Sequence, residues 1–272
     1  MNYIRAGKTQ FKNYYKYNDK EKSLKMKSFK LVLIISLFLN FIISFISNAS
    51  ADDTPSPIVV ELFTSQSCSS CPSADKVLGE LKDIPNVIAL GYHVTYWNHL
   101  DWKDTLSLES CTRLQNDFNT SIDSNRVYTP QMVINGAEEF IGSNKRKALS
   151  SIQNAQPIMP ISLHQNADSI VAELPILKEN SGSLSLILIG YDTIKTQNIL
   201  DGENSGEVVA YTNPVRFIDY QDNWNKKSKT VMLKTTSNIT GGYVVLIREG
   251  RAGKIIAAGR LIGKGLSTSH GK

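Results

Sequence analysis

The sequence predicts an α/β domain followed by an all-β, sandwich-like domain. Three observations carry this. Between residues 58 and 153, short apolar runs alternate with helical patterns. From residue 159 onward the pattern changes to short period-two or apolar strands, separated by glycine-rich turn clusters. The change falls at 153–159, with Pro157 and Pro160 near it, so the domains are placed at 52–154 and 155–272.

Residues 1–51 read as a leader. The run 31–46 (LVLIISLFLNFIISFI) is 16 residues long. A spanning helix wants about 20 apolar residues, whereas a signal-peptide core needs about 7–15. Lys25, Lys27 and Lys30 stand before it, and Ala49-Ser50-Ala51 follows as a small-x-small cleavage site. This predicts a signal peptide cut after Ala51, with MKSFKLVLII marking Met26 as the true start. The alternative is an uncut signal anchor. The predicted location is periplasmic or secreted, with no membrane attachment after cleavage. Nine of the 30 Lys and Arg and two of the 25 Asp and Glu lie in the leader, leaving 21 and 23. The mature chain is thus near −2, without the basic stripe that nucleic-acid binding requires.

The predicted elements follow in order. Residues 58–63 (IVVELF) form a buried strand. Ala74, Val77, Leu78 and Leu81 share one face of a helix over 73–81. Residues 87–94 (VIALGYHV) give a second strand, and 106–118 give a helix through Leu106, Cys111, Leu114 and Phe118. QMVI, Asn135-Gly136 and EFI make a hairpin, because Asn-Gly suits a two-residue turn. Residues 146–153 close the domain with a helix. The later strands are expected at 161–164, 170–174, 184–191, 207–211, 215–220, 230–235, 243–248 and 254–261. Residues 267–272 read as a loose tail.

Cys68-Ser69-Ser70-Cys71 stands at a strand-to-helix junction, and Thr129-Pro130 stands directly before QMVI-NG. This arrangement resembles the thioredoxin fold, in which a cis-proline precedes the hairpin and faces the CxxC pair. ELFTSQSCSSCP, YHVTYWNHLDWKD and VYTPQMVING together are similar to the secreted bacterial family known as domain of unknown function 1223. They cover residues from about 58 to 142; VVLIREGRAGKIIAAGRL matches more loosely. The resemblance implies a thioredoxin-like fold and no established reaction. Thr95 stands where an acidic residue is common, and Asn98-His99 replace the usual residues, so no acid role is carried to position 95.

The candidate site is built around the cysteines. A thiol at a helix amino terminus meets unpaired N–H groups and the positive helix end, which favour thiolate. Cys68 is the expected attacking sulfur and Cys71 the resolving one. The alternative is a structural disulfide, although so short a loop gains little by entropy. Pro130 frames a groove and Thr129 offers backbone groups to an extended partner peptide. The alternative is an ordinary trans-proline at a strand start. Glu61 interrupts an apolar strand. The thioredoxin resemblance suggests it as the buried acid that moves protons; the alternatives are a solvated glutamate or one paired with an arginine. His93 ends the second strand and either tunes the site or serves as an ordinary core histidine. Trp97 and Trp102 lie in the insertion 92–104, lining a pocket or anchoring the loop. Asp75 reads as a helix-start residue. Three cysteines are an odd number, which leaves Cys111 as a small buried hydrophobe.

These residues predict an exported thiol–disulfide oxidoreductase acting on protein thiols through Cys68 and Cys71, with a protein thiol or disulfide as partner. No organic cofactor is implied, because the sulfurs carry the electrons. Two alternatives stay open. One is a copper-binding or delivery module using Cys68, Cys71 and His93; the other is a binding domain with a redox-inert disulfide.

Overall fold

Why a strand so apolar as IVVELFT can sit in the middle of this protein is answered by its two faces, both of which are covered. The computed structural model describes residues 55–263 apart from 125, 178–181, 222–223, 225 and 237. The predicted leader and the tail at 267–272 lie outside the described residues. From Pro55 onward the chain packs as one unit. Among the described residues no helix is long and apolar enough to cross a membrane.

The chain is a mixed α/β structure with many strands in several sheets and few helices. The first sheet joins β1 (Ile58–Thr64), β2 (Val87–His93), β3 (Gln131–Ile134) and β4 (Glu138–Ile141) in the order β2-β1-β3-β4. β1 runs parallel to β2, from Ile58↔Val87 to Thr64↔His93, and antiparallel to β3, from Val60↔Ile134 to Phe63↔Gln131. A parallel neighbour needs a crossover, here α1 (Cys71–Leu81). The β3–β4 loop is Asn135, Gly136 and Ala137; Asn135 at φ 49° and Gly136 at φ 61° are both left-handed, and the Ala137 N–H donates to the Ile134 carbonyl at 3.0 Å. α2 (Glu109–Ser121) and α3 (Lys145–Gln153) complete this half.

Alternation sorts β1 into two sets. Val60 and Leu62 pack with Ala74, Val77, Leu78 and Leu81 of α1 and with Ala148 and Ile152 of α3. Val59 and Phe63 face the other way, with Leu114 and Phe118 of α2. That second face also receives the remainder of the chain. Its strands are β5 (Met159–Pro160), β6 (Ser162–Asn166), β7 (Ser169–Glu173), β8 (Leu184–Tyr191), β9 (Lys195–Asn198), β10 (Val208–Tyr211), β11 (Val215–Tyr220), β12 (Thr230–Lys234), β13 (Gly242–Glu249) and β14 (Ile255–Ile262).

Five of these form a sheet in the order β11-β8-β13-β14-β5, and three form another in the order β12-β7-β6. Ile187, Ile189, Val244 and Leu246 of the five-stranded sheet join Phe63, Leu90 and Tyr92 in one core. Leu186, Leu188, Val245 and Ile247 point oppositely, into a core with Ile170, Ala172 and Leu233 of the three-stranded sheet. The apolar core therefore continues across residue 155. Among the described residues β9 and β10 pair only with each other, as a two-stranded ribbon. The sequence predicted no strand at β9, since Lys-Thr-Gln-Asn carries no apolar alternation to read.

Candidate functional site

Cys68 and Cys71 are joined in a disulfide. β1 ends at Thr64, a loop carries Cys68, and α1 begins at Cys71 with Pro72 in its first turn, where the ring costs no helical hydrogen bond. The Cys71 N–H donates to the Cys68 carbonyl at 3.1 Å. Ser69 and Ser70 are exposed, but the cysteines beneath them are not: Cys68 is 1% exposed and Cys71 0%.

The Thr129–Pro130 peptide is cis. Gln131 pairs with Phe63, which places Pro130 beside the end of β1 that leads into the cysteine loop. Gly142 marks how close the proline lies to α1. A Cβ there would stand 3.1 Å from the Ala74 Cβ and 3.5 Å from the Pro130 Cβ. Trp97 donates its indole N–H to the Thr129 hydroxyl at 2.8 Å. Trp102 donates to the Gln66 side-chain carbonyl at 2.9 Å, and its backbone carbonyl accepts from the Ser67 hydroxyl. The insertion thus holds the cis-proline loop with one tryptophan and the cysteine loop with the other.

Under the loop lies a buried polar cluster. Asp104 accepts from the Gln66 N–H at 2.9 Å, from the Leu106 N–H at 2.8 Å, and pairs with His93 Nδ1 at 2.7 Å. Burial works to raise the Asp104 pKa, but the His93 ring and these donors outweigh it and hold the carboxyl below its usual range. His93 Nε2 is buried without a hydrogen-bond partner among the described residues, and the ring meets Tyr211 edge-on, 4.8 Å between centroids. Asp75 completes the cluster. It is one turn beyond Cys71 on the same helix face, buried, and accepts from the Thr64 hydroxyl at 2.9 Å. Burial pushes its pKa up to about 7, against the lowering pull of His93 and Thr64.

Glu61, the sequence's candidate proton-handling acid, is buried and paired with an arginine. Arg248 grips it with two contacts of 3.2 Å, and the same guanidinium donates to the carbonyls of Ala252 and Gly253. Strand parity explains this: Glu61 shares its face with Val59 and Phe63, not with Leu62 and Thr64. The arginine-paired alternative is the one observed. Asp75 is likewise not a first-turn helix-start residue but a buried acid. The copper alternative on Cys68, Cys71 and His93 concerns the reduced protein; with the sulfurs joined, as here, the described residues hold no cluster of three His, Cys, Asp or Glu placed for a metal. Cys111 is buried and free, its thiol pKa raised by burial.

One residue of the site gave no signal in the sequence. Asn204, only 6% exposed, donates its side-chain amide to the carbonyls of Gln66 at 2.8 Å and Cys68 at 3.0 Å. It lies 136 positions beyond Cys68, in a Gly-Glu-Asn-Ser-Gly stretch that reads as turn punctuation.

Fold and site together define a mixed α/β protein whose CxxC disulfide lies over a buried carboxylate–imidazole cluster. The chain belongs to the family described as protein of unknown function, DUF1223, which matches residues 59–248. No curated protein matches it. A crystal structure of an Agrobacterium tumefaciens protein is similar at 25% identity and a TM-score of 0.65, covering 80% of this chain and all of that one. HBP35 of Porphyromonas gingivalis is similar in fold, at 12% identity and a TM-score of 0.54, with 80% of this chain and 78% of that one covered.

Proposed function

We propose that this is an exported thiol–disulfide oxidoreductase with a thioredoxin-like first half, acting on protein thiols in the periplasm or outside the cell. The observation that carries the reading is the Cys68–Cys71 disulfide at a strand-to-helix junction, with the cis Thr129–Pro130 peptide at the adjoining strand end. The sheet order β2-β1-β3-β4, with β3 antiparallel to β1, supports it. The predicted signal peptide supports export, where a CxxC pair persists as a disulfide.

In the oxidising direction a partner thiolate attacks Cys68 Sγ. The Cys68–Cys71 bond breaks, a mixed disulfide forms, and Cys71 leaves as a thiolate. A second partner thiolate then attacks its own mixed sulfur, forming the partner disulfide and releasing Cys68. Two electrons pass from partner to enzyme; the reverse sequence reduces a partner. Asp75 is the acid nearest in the chain to Cys71 on its helix face and supplies or accepts the Cys71 proton, with the His93–Asp104 pair setting the field around it. Cys68→Ser is expected to abolish catalysed exchange between protein thiols while leaving the circular-dichroism spectrum unchanged. Exchange at the unaltered rate by the serine variant would remove the assignment.

The burial of both sulfurs favours a second reading, a redox-inert disulfide in a binding domain. It predicts that the folded protein resists dithiol reductants indefinitely, so a measured reduction potential separates the two.

A further inference from the structure

The loop that carries the buried Cys68 is held by a segment from the far half of the chain. The tip of the β9–β10 ribbon, residues 199–207, seats Asn204 on the cysteine loop. Its base is anchored: Val209 and Tyr211 of β10 pack with Leu106, Tyr211 meets the His93 ring, and β10 lies against α1. Gly202 and Gly206, either side of Asn204, lie at φ 75° and 88°, and Gly202 sits against the Trp102 side chain. The outward side carries two exposed apolar residues, Leu200 at 70% and Val208 at 65%. A ribbon paired to no other sheet among the described residues has few backbone bonds to break when its tip moves.

We propose that the ribbon tip is an autoinhibitory gate over the Cys68–Cys71 disulfide, latched by Asn204. In this closed state an incoming thiolate has no approach to Cys68 Sγ. Lifting the tip releases the Gln66 and Cys68 carbonyls and opens the sulfur. A polypeptide segment replaces the latch well, because its N–H groups satisfy the two carbonyls that Asn204 leaves. The glycines allow the tip to swing without remodelling β9 or β10. The proposal rests on the redox reading for its purpose, but its geometry does not.

The test is the rate at which excess dithiothreitol reduces the disulfide, followed by alkylating the freed thiols and weighing the protein. Asn204→Ala removes both latch bonds. Two neutral hydrogen bonds of ordinary net strength correspond to about a thirtyfold change in an opening equilibrium, so reduction is expected about thirtyfold faster than in the wild type. A second variant, with residues 200–206 replaced by Asn-Gly, keeps Ile199 and closes the ribbon with a tight turn. It is expected to be faster still, near the rate of the denatured chain. Wild-type rates in whichever variant folds overturn the gate. Faster reduction without any catalysed exchange between protein thiols keeps the gate and removes the redox reading. Catalysed exchange at equal rates in wild type and both variants does the reverse.

Discussion

The buried carboxylates of Glu61 on β1 and Asp75 on α1 have neighbours that differ in kind. Glu61 meets a guanidinium, whereas Asp75 meets a hydroxyl and an imidazole pair. The consequence for Asp75 is a pH dependence of known sign. Its folded value of about 7 lies above its ordinary value of 3.8. Between those values the native state holds more protons than the unfolded one, so the contribution is fullest at the acidic end. It declines as pH rises toward about 7 and is flat above. Asp75→Asn keeps an acceptor for Thr64 and removes the titration. At about pH 8 the variant is expected to be the more stable by about 1–3 kcal/mol, and near pH 4 the two should coincide. Urea melts at the two pH values read this directly; a constant difference would show that Asp75 does not titrate there. Sequence periodicity contained the placement of both acids. Position 61 alternates with 60 and 62, and position 75 is four beyond Cys71 and three before Leu78. What it lacked was the identity of the partners: Arg248 is 187 residues from Glu61 and Asn204 136 from Cys68.

Elements were legible in proportion to how much of their order is local. β1, α1, β2 and the Asn-Gly hairpin each announce themselves by alternation, helical spacing or turn chemistry, and each occurs close to its expected place. β9 did not, because its stability comes from pairing with β10 and from seating its tip on a loop across the molecule. The Glu61–Arg248 pair illustrates the same non-local order: it fastens β1 of the first sheet to β13 of the second. Both side chains are buried, so removing one charge leaves the other unbalanced. Glu61→Gln is expected to cost about 3 kcal/mol of stability in chemical denaturation. It should leave the rate of thiol exchange and its pH profile unchanged, whereas Asp75→Asn should alter that profile. A shifted profile in the Glu61→Gln variant, with none in the Asp75→Asn variant, would return the proton-handling role to Glu61.

At the scale of the molecule the site depends on both halves. The first half supplies the disulfide, the cis-proline loop and the polar cluster; the second supplies Asn204, Tyr211 and Arg248. The core explains why they travel together. Phe63, Leu90, Tyr92 and Val133 are buried against Ile187, Ile189, Val244 and Leu246, so one face of the first sheet is covered by the second. A chain of residues 55–155 would expose that face and leave Glu61 without its arginine. Its lost burial amounts to about 1.5–3 kcal/mol for each large side chain uncovered, against a total domain stability of about 5–15 kcal/mol. The fragment is therefore expected to lack a cooperative thermal transition and to bind an apolar dye. The chain from Pro55 onward should unfold in one transition, with fluorescence and far-ultraviolet dichroism changing together. A fragment that melts cooperatively at the temperature of the longer chain would show that the two halves are held by their linker, not by their common core, and that the ribbon gate acts on a domain already complete.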